Sequence, residues 1–179
     1  MARTRRASAL VALAFLAVIV TAGGAGAAST APPSWMTVDA AKKAVSFVIK
    51  MAENGTNGTF NFNGYARGDM TITVPLGWKV HMHVINIGEG AIPHSLEIAA
   101  VTEAMPSQGV SPAFDGAYTV QLVPGMGVGK SDSVDFIANQ AGKYWMMCGV
   151  PGHAEGGMWD WFVVSPTATE PTVTFSKGS

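Results

Sequence analysis

The stretch CGVPGHAEGGM, residues 148–158, contains the only cysteine of this chain and joins two predicted strands. Three possible metal donors follow one another at a regular spacing: Cys148, His153 and Met158. Taken singly, each has a simpler explanation, namely a small buried residue, a histidine in a turn and a core methionine. The stretch is therefore either a tight glycine-rich turn or the larger part of a metal site, and the surrounding sequence has to decide.

Short predicted strands flank this loop and recur along the chain. Residues 78–85, WKVHMHVI, alternate so that Val80 and Met82 share one face, and His81 and His83 share the other. The other predicted strands are residues 45–51, 70–74, 95–101, 118–123, 131–137, 143–148 and 158–164, with a helical turn at 39–43 and an irregular segment at 101–116. Short strands separated by turn signals predict an all-β sandwich or barrel.

The chain has 179 residues, which is enough for one ordinary domain. Residues 1–28 predict an export signal or a membrane anchor, because a basic start precedes an apolar run and a small-residue end. We expect a linker over residues 29–43, the folded domain over 44–165, and a C-terminal tail or edge strand over 166–179. This order places the domain outside the cytoplasm, at the periplasmic or extracytoplasmic face of the membrane.

Charge and cysteine content exclude several classes of protein. Without the three arginines of the N-terminal segment, 8 basic residues stand against 12 acidic ones, a net charge of −4. There is no basic stripe for nucleic acid, and a single cysteine forms no internal disulfide. The low charged fraction, 13%, also suggests acid tolerance, since few carboxylates must titrate as the pH falls.

A second imidazole comes from His94, at the start of a predicted strand and stiffened on its approach by Pro93. A mononuclear blue copper site needs two imidazoles, one thiolate and a weak axial thioether. The lone thiol, the donor spacing and the β framework agree with this requirement. We therefore predict a copper site formed by His94, Cys148, His153 and Met158.

The pair His81 and His83 invites a second metal site, because the two side chains point to the same face of a strand. No third donor is evident from the sequence, and this face is predicted to meet solvent. We therefore favour a structural explanation for the pair. Packing likewise explains Met146 and Met147, next to Trp145.

Four segments resemble the cupredoxins, and most closely their sulfocyanin group, which is similar to rusticyanin. These segments are FNFNG at 60–64, VPLGW at 74–78, PHS at 93–95, and CGVPGHA continuing to GMW over 148–159. The resemblance covers about residues 44 to 164.

The resemblance implies a Greek-key sandwich of about eight strands with one type 1 copper near one end. It implies His94, Cys148 and His153 as equatorial ligands and Met158 as the axial ligand. It also implies single-electron transfer with redox proteins, such as a cytochrome or a haem–copper oxidase of a respiratory chain, or an iron-oxidation chain.

Residues next to the ligands are expected to tune the copper. Ser95, Pro93 and Trp159 are the candidates, and the apolar neighbours Ile92, Met126, Val150 and Trp159 predict an elevated potential.

The main alternative is an exported copper carrier without a redox role, and a plain β-sandwich adhesion module is another. A copper oxidase or nitrite reductase is disfavoured, because the bridge to a second copper uses a histidine beside the cysteine. Here Cys148 is flanked by Met147 and Gly149. We therefore expect a monomeric electron carrier and no enzyme, with membrane association only through the N-terminal segment.

Overall fold

The computed structural model describes residues 31–88 and 91–176, and β-strands are the main secondary structure of this part. The strands are β1 Met36–Asp39, β2 Ala44–Met51, β3 Met70–Pro75, β4 Lys79–Asn86, β5 Glu97–Ala100, β6 Ser131–Ile137, β7 Gly142–Met147, β8 Trp159–Ser165 and β9 Thr172–Phe175. Two short 3-10 turns, Ala40–Lys42 and Thr56–Thr59, are the only helical elements among the described residues. The prediction of an all-β fold is confirmed.

The strands form two sheets that face each other. The four-stranded sheet has the order β1-β2-β4-β6, and the five-stranded sheet has the order β5-β7-β8-β3-β9. Strands β2 and β4 are parallel, as are β3 and β8, and the other neighbouring pairs are antiparallel. The parallel pairs arise because the chain crosses to the other sheet between their members, as in a Greek-key sandwich.

Alternation along the strands builds the core between the sheets. In β4, Val80, Met82 and Val84 are buried, whereas His81 and His83 on the other face are partly exposed. Apolar side chains of both sheets meet in one cluster with these residues. The cluster contains Phe47 and Ile49 of β2, Val134 and Phe136 of β6, and Ile72, Ile98, Met146 and Phe162 of the five-stranded sheet.

Residues 118–123, predicted as a strand, are not one. Tyr118 makes an isolated bridge to Glu97, and two residues later the Val120 side chain is 82% exposed. Pro124 and Gly125 follow, and Gly125 has φ +73°, so the backbone turns before a ladder can extend. This segment is a loop whose start lies beside β5, where the Thr119 amide donates to the Leu96 carbonyl at 2.9 Å.

The segment predicted as a linker, residues 29–43, contains strand β1. β1 pairs with β2 in antiparallel register, Met36 is buried, and the Trp35 ring lies 6.3 Å from that of Phe47. This strand has only four residues, which is too short for an alternating pattern of apolar residues to indicate it in the sequence. The helical turn predicted after it is present, and the Asp39 carboxylate accepts a hydrogen bond from the Lys42 amide at 3.1 Å.

At the C-terminus, β9 pairs with β3 at the edge of the five-stranded sheet, which corresponds to the edge-strand alternative for residues 166–179. The predicted export signal, residues 1–28, lies outside the described residues. Within 31–88 and 91–176, no helix has the length and hydropathy to cross a lipid bilayer.

The topology brings distant segments to one end of the sandwich. Strands β7 and β8 are antiparallel neighbours, and residues 148–158 connect them. β5 lies on the other side of β7, with Glu97 opposite Met147. His94, just before β5, is therefore carried to the end of the sandwich where the 148–158 loop begins.

Candidate metal centre

Three of the predicted donors converge in a buried cluster. The ligand atoms of His94, Cys148 and His153 lie within 4.8 Å of one another, and no other group of three His, Cys, Asp or Glu residues in the described part of the chain does so. The Cys148 Sγ lies 3.5 Å from Nδ1 of His153, and the centroids of the two imidazole rings are 5.0 Å apart. A single ion can thus contact all three side chains after small adjustments.

The loop that carries two of these donors is closed by backbone hydrogen bonds. The Cys148 amide donates to the Met158 carbonyl at 3.1 Å, and the Met158 amide donates to the His153 carbonyl at 2.9 Å. Met158 is fully buried in the main core, at the base of the loop. Met158, the fourth predicted donor, is therefore held by backbone bonds to the same loop as Cys148 and His153.

One glycine of the loop is required by its backbone and its neighbours. Gly157 has φ +105°, and a Cβ on it would lie 2.8 Å from the side chains of Arg67 and Asn57. No larger residue fits this position without displacing those two side chains. The close approach ties the loop to the segment around residues 57–67.

His94 is held from the opposite side by an isolated bridge to Met126. The His94 amide donates to the Met126 carbonyl at 3.1 Å, and the Met126 amide donates back at 2.7 Å. Gly125 packs so closely here that a Cβ would lie 2.9 Å from the Cβ of Pro93. Pro93, which was predicted to stiffen the chain before His94, therefore packs against Gly125.

Both ring nitrogens of His94 are buried and have no hydrogen-bond partner among the described residues. Burial, followed by the nearby His153, lowers the pKa of His94 to about 4. Burial also lowers the pKa of His153. Buried imidazoles whose neutral form is favoured are suited to coordinate a metal, and at His94 a metal supplies the missing interaction.

The burial and the hydrogen-bond partners of Cys148 also suit it as a metal ligand. Burial raises the pKa of its thiol, and the Ser95 amide, which donates to Sγ at 3.4 Å, opposes this effect. The Gly149 amide donates to Ser95 Oγ at 2.9 Å, which leaves the hydroxyl hydrogen free to point toward Sγ, 3.7 Å away. A metal cation at the thiol stabilises the thiolate that burial alone disfavours.

Phe60 is a residue of the site that the sequence analysis did not identify. Its ring stacks on that of His153 at 4.3 Å and 25°, and meets the His94 ring edge-on at 5.9 Å. It belongs to a segment quoted for its resemblance, but no local periodicity links it to residues about 90 positions further along the chain. Phe60 covers both imidazoles with an apolar ring.

A polar clamp fixes the Phe60 segment to the ligand loop. The Asn57 amide nitrogen donates to the carbonyls of Phe60 and Gly156, each at 3.0 Å. The Arg67 guanidinium donates to Asn57 Oδ1 at 2.9 Å and to the Gly156 carbonyl at 2.9 Å. Asn57 therefore has a structural role in the folded chain, since its side chain joins the two segments.

Of the residues expected to tune the site, Trp159 lies elsewhere. Its ring meets that of Trp161 at 5.0 Å, in a second apolar cluster with Trp145 and Met147. This cluster is separate from the main core, which includes Cys148 and Met158. The Trp159 ring thus packs outside the cluster that includes Cys148, and its tuning role stays a prediction.

The other apolar residues predicted to surround the ligands differ in their burial. Met126 and Val150 are buried in the core that includes Cys148, whereas the Ile92 side chain is 40% exposed. Met126 and Val150 are thus the members of the predicted apolar set that shield the centre from water.

The donor set fits copper. Two imidazoles and a thiol converge in a water-poor site at one end of a β-sandwich, which is the combination that blue copper sites use. The buried nitrogens of His94 have no other use in the described structure. Copper bound here supplies a one-electron couple between its two oxidation states.

Comparison with known proteins agrees with this fit. The family model described as "Sulfocyanin (SoxE) domain" matches residues 33–175. A curated sulfocyanin of Sulfolobus acidocaldarius is 32% identical over 136 residues, which is 72% of this chain and 67% of the relative.

Among solved structures, auracyanin B has a TM-score of 0.50 at 17% identity, covering 75% of this chain and 97% of its own, a likeness in fold. A rusticyanin variant has 26% identity and a TM-score of 0.48, covering 69% of this chain and 78% of its own.

Proposed function

This chain belongs to the sulfocyanin family of blue copper proteins, and from this premise we propose that it shuttles single electrons in a respiratory chain outside the cytoplasm. We propose His94, Cys148 and His153 as equatorial ligands of one copper and Met158 as its axial ligand. The observation that carries this proposal is the convergence of a buried thiol with two buried imidazoles, one of which has no other partner among the described residues.

The protein residues contribute a fixed and dry environment. The backbone bonds that close the loop and the bridge at His94 hold the ligands in place, so little reorganisation accompanies a change of one electron. Ser95 donates to the cysteine sulfur through its amide, and Phe60 covers the imidazoles. Hydrogen bonds to the sulfur and an apolar shell are the protein's means of setting a copper potential, and both favour an elevated value here.

Electrons most directly enter and leave at the His153 end. The His153 residue is 8% exposed, and Phe60, which stacks on it, is only partly buried. A partner that docks over these two rings comes closest to the centre through one imidazole. Such redox encounters use small, transient interfaces, and a monomer is sufficient for them.

The partners and the location are part of the proposal. We infer that the partners are a cytochrome or a haem–copper oxidase, or members of an iron-oxidation chain, and that residues 1–28 direct export or anchor the domain at the membrane. Support comes from the family and from the basic-then-apolar pattern of the N-terminus.

We assign electron transfer rather than substrate turnover. The residues beside Cys148 are Met147 and Gly149, so the histidine that bridges to a second copper in multicopper enzymes is missing at this position. The remaining alternative is a copper carrier without a redox role, which predicts copper binding without a thiolate-to-copper absorption band.

An absorption spectrum of the exported chain after addition of Cu(II) separates these functions. We expect an intense band at about 600 nm from thiolate-to-Cu(II) charge transfer, which disappears on reduction and returns on oxidation. Cys148→Ser removes the band. Met147→Leu, a change of a buried neighbour that is not a ligand, retains it.

A colourless copper complex of the unchanged chain would support the carrier instead. Binding of no copper would reject both functions. A band that persists in Cys148→Ser would exclude Cys148 as the thiolate ligand.

A further inference from the structure

The outer face of the four-stranded sheet carries a second group of metal donors, away from the copper centre. We propose that His81 and His83 of β4, oriented by Asp135 of β6, form a separate surface site for a divalent transition-metal ion such as Cu(II). The proposal does not depend on the electron-transfer function.

The strand geometry places both imidazoles on one face. His81 and His83 are separated by one residue, Met82, whose side chain is fully buried on the opposite face. Residues two apart on a strand are about 7 Å apart at their Cα atoms and project in the same direction. Two imidazole side chains at this spacing are long enough to reach one ion with metal–nitrogen bonds of about 2 Å.

Asp135 supplies a hydrogen-bond partner for His81, which the sequence alone did not reveal. It lies directly opposite His81 in the antiparallel β4–β6 pair, and its Oδ1 is 2.8 Å from the Nδ1 of His81 across 54 residues of chain. An ionised carboxylate only accepts hydrogen bonds, so in the neutral imidazole Nδ1–H donates to it and Nε2 has a lone pair for a metal. This carboxylate–imidazole arrangement is the one that orients histidine ligands at metal sites.

The neighbourhood is open and holds opposing charges. A shallow groove of about 420 Å³ runs beside His81 and is lined by residues 44–46, 79–81 and 135–137, so it adjoins His81 but does not include His83. Lys79 is exposed and lies on the same face two residues before His81, so the Asp135 carboxylate has to offset its charge. Because solvent reaches the groove, water can fill the other positions of a tetragonal ion, the geometry that Cu(II) prefers with nitrogen and oxygen ligands.

The site is remote from the copper centre. Asn86 marks the copper end of β4, since its side-chain nitrogen donates to the Met126 carbonyl at 2.9 Å. His81 lies five residues earlier on the same strand, a distance of about 17 Å. An ion at His81 and His83 therefore leaves the blue absorption band unchanged, so the two sites can be measured independently.

The test is equilibrium dialysis of the copper-loaded full chain against Cu(II), followed by electron paramagnetic resonance. We expect one further equivalent, with a spectrum of nitrogen and oxygen ligation distinct from the thiolate site, and an unchanged blue band as evidence that the fold is intact. His81→Gln combined with His83→Gln removes this equivalent. Asp135→Asn weakens its binding by about 10- to 100-fold.

Two further variants sharpen the result. Ser133 lies opposite His83 in the same register, so Ser133→His adds a third imidazole and is expected to tighten binding at least about tenfold. Thr174→Ala, a comparable change on the exposed edge strand of the other sheet, leaves the affinity unchanged. The proposal is overturned if the copper-loaded chain takes up no further ion, or if the further equivalent persists in the double histidine variant.

Discussion

At the scale of single residues, Ser95 acts on the copper centre through two groups. Its amide donates to the Cys148 sulfur, and its hydroxyl oxygen accepts from Gly149 while lying 3.7 Å from the same sulfur. The hydroxyl therefore holds the start of the ligand loop and is placed to donate to the thiolate. Hydrogen bonds to the sulfur favour the reduced state, in which the sulfur carries more negative charge.

Ser95→Ala keeps the amide donor and removes the hydroxyl. We expect the reduction potential to fall by about 40 mV, which corresponds to one hydrogen bond of about 1 kcal/mol. A redox titration of the blue band measures the change, and Ser46→Ala on the distant outer face serves as the control. An unchanged or raised potential would show that the hydroxyl does not donate to the sulfur.

Phe60 acts on the centre by covering the two imidazole rings, whereas Ser95 acts by donating hydrogen bonds. Its ring stacks on His153 and meets His94 edge-on, so it keeps water from both imidazoles. Phe60→Ala admits water, which stabilises the more highly charged oxidised state, so the potential falls. The loss of packing lowers the free energy of unfolding by about 2 kcal/mol.

The control for Phe60 is Phe175→Ala, because Phe175 stacks on Tyr65 at 4.4 Å and on no histidine in the described structure. Both variants are expected to lower the denaturation midpoint, but only Phe60→Ala lowers the potential. Equal potentials in the two variants would contradict the covering role.

At the scale of elements, β1 is the part of the sandwich that the sequence analysis placed outside the folded domain. It forms the edge of the four-stranded sheet and covers β2 through four residue pairs, Met36–Phe47 to Asp39–Ala44. Without it, the backbone edge of β2 is unpaired and the buried Met36 no longer covers the core.

A chain that begins at residue 44 therefore tests this element against one that begins at residue 31. We expect the shorter chain to lose about 3 kcal/mol of unfolding free energy, mainly from the apolar surface of Trp35 and Met36, and to associate through its exposed edge. Chemical denaturation and size-exclusion chromatography measure the two effects. Identical midpoints would mean that residues 29–43 behave as the linker predicted from the sequence.

At the scale of the whole molecule, two buried carboxyls give the fold a dependence on pH. Burial raises the pKa of Glu97 to about 7, against a weaker opposing bond from the Val110 amide. Burial likewise raises the pKa of Asp160 to about 8, although the Met70 amide donates to it at 3.0 Å. Both groups bind a proton more tightly in the folded than in the unfolded chain.

Their contribution to stability is therefore complete below the ordinary carboxyl pKa, near 4, and is lost as the pH rises through about 7 and about 8. His94 acts in the opposite sense in the copper-free chain. Its lowered pKa, about 4, means that stability is lost as the pH falls below the ordinary histidine value toward 4. The carboxyls thus support acid tolerance, whereas the His94 imidazole opposes it, and bound copper does not remove this opposition because protons compete with the metal for the imidazoles.

Glu97→Gln tests this dependence in the copper-free chain. Between pH 5 and pH 8 we expect the unchanged protein to lose unfolding free energy, and the variant to lose less of it by on the order of 2 kcal/mol. Denaturant titrations at both pH values measure the difference, with Glu155→Gln, an exposed residue, as the control. The same loss in Glu97→Gln and in the unchanged protein would contradict the assignment.

The sequence by itself determined the strand class and most strand positions, because these depend on local spacing, and it predicted four donors. A period of two assigns Val80 and Met82 to the core and His81 to the outer face, and it does so without knowledge of the partners. The order of donors in 148–158, with one cysteine in the chain, restricted the chemistry to very few choices.

Only the tertiary structure decided which remote residues meet. Strand register set Asp135 against His81. Residues 118–123, predicted as a strand, form a loop and a turn before β6. The crossing of the chain between the two sheets brought Phe60 over His153. These contacts join residues far apart in the chain, and their energies come from burial and pairing that local spacing does not encode. The predicted donors therefore follow from the sequence, whereas their shielding and their hydrogen-bond partners are properties of the fold.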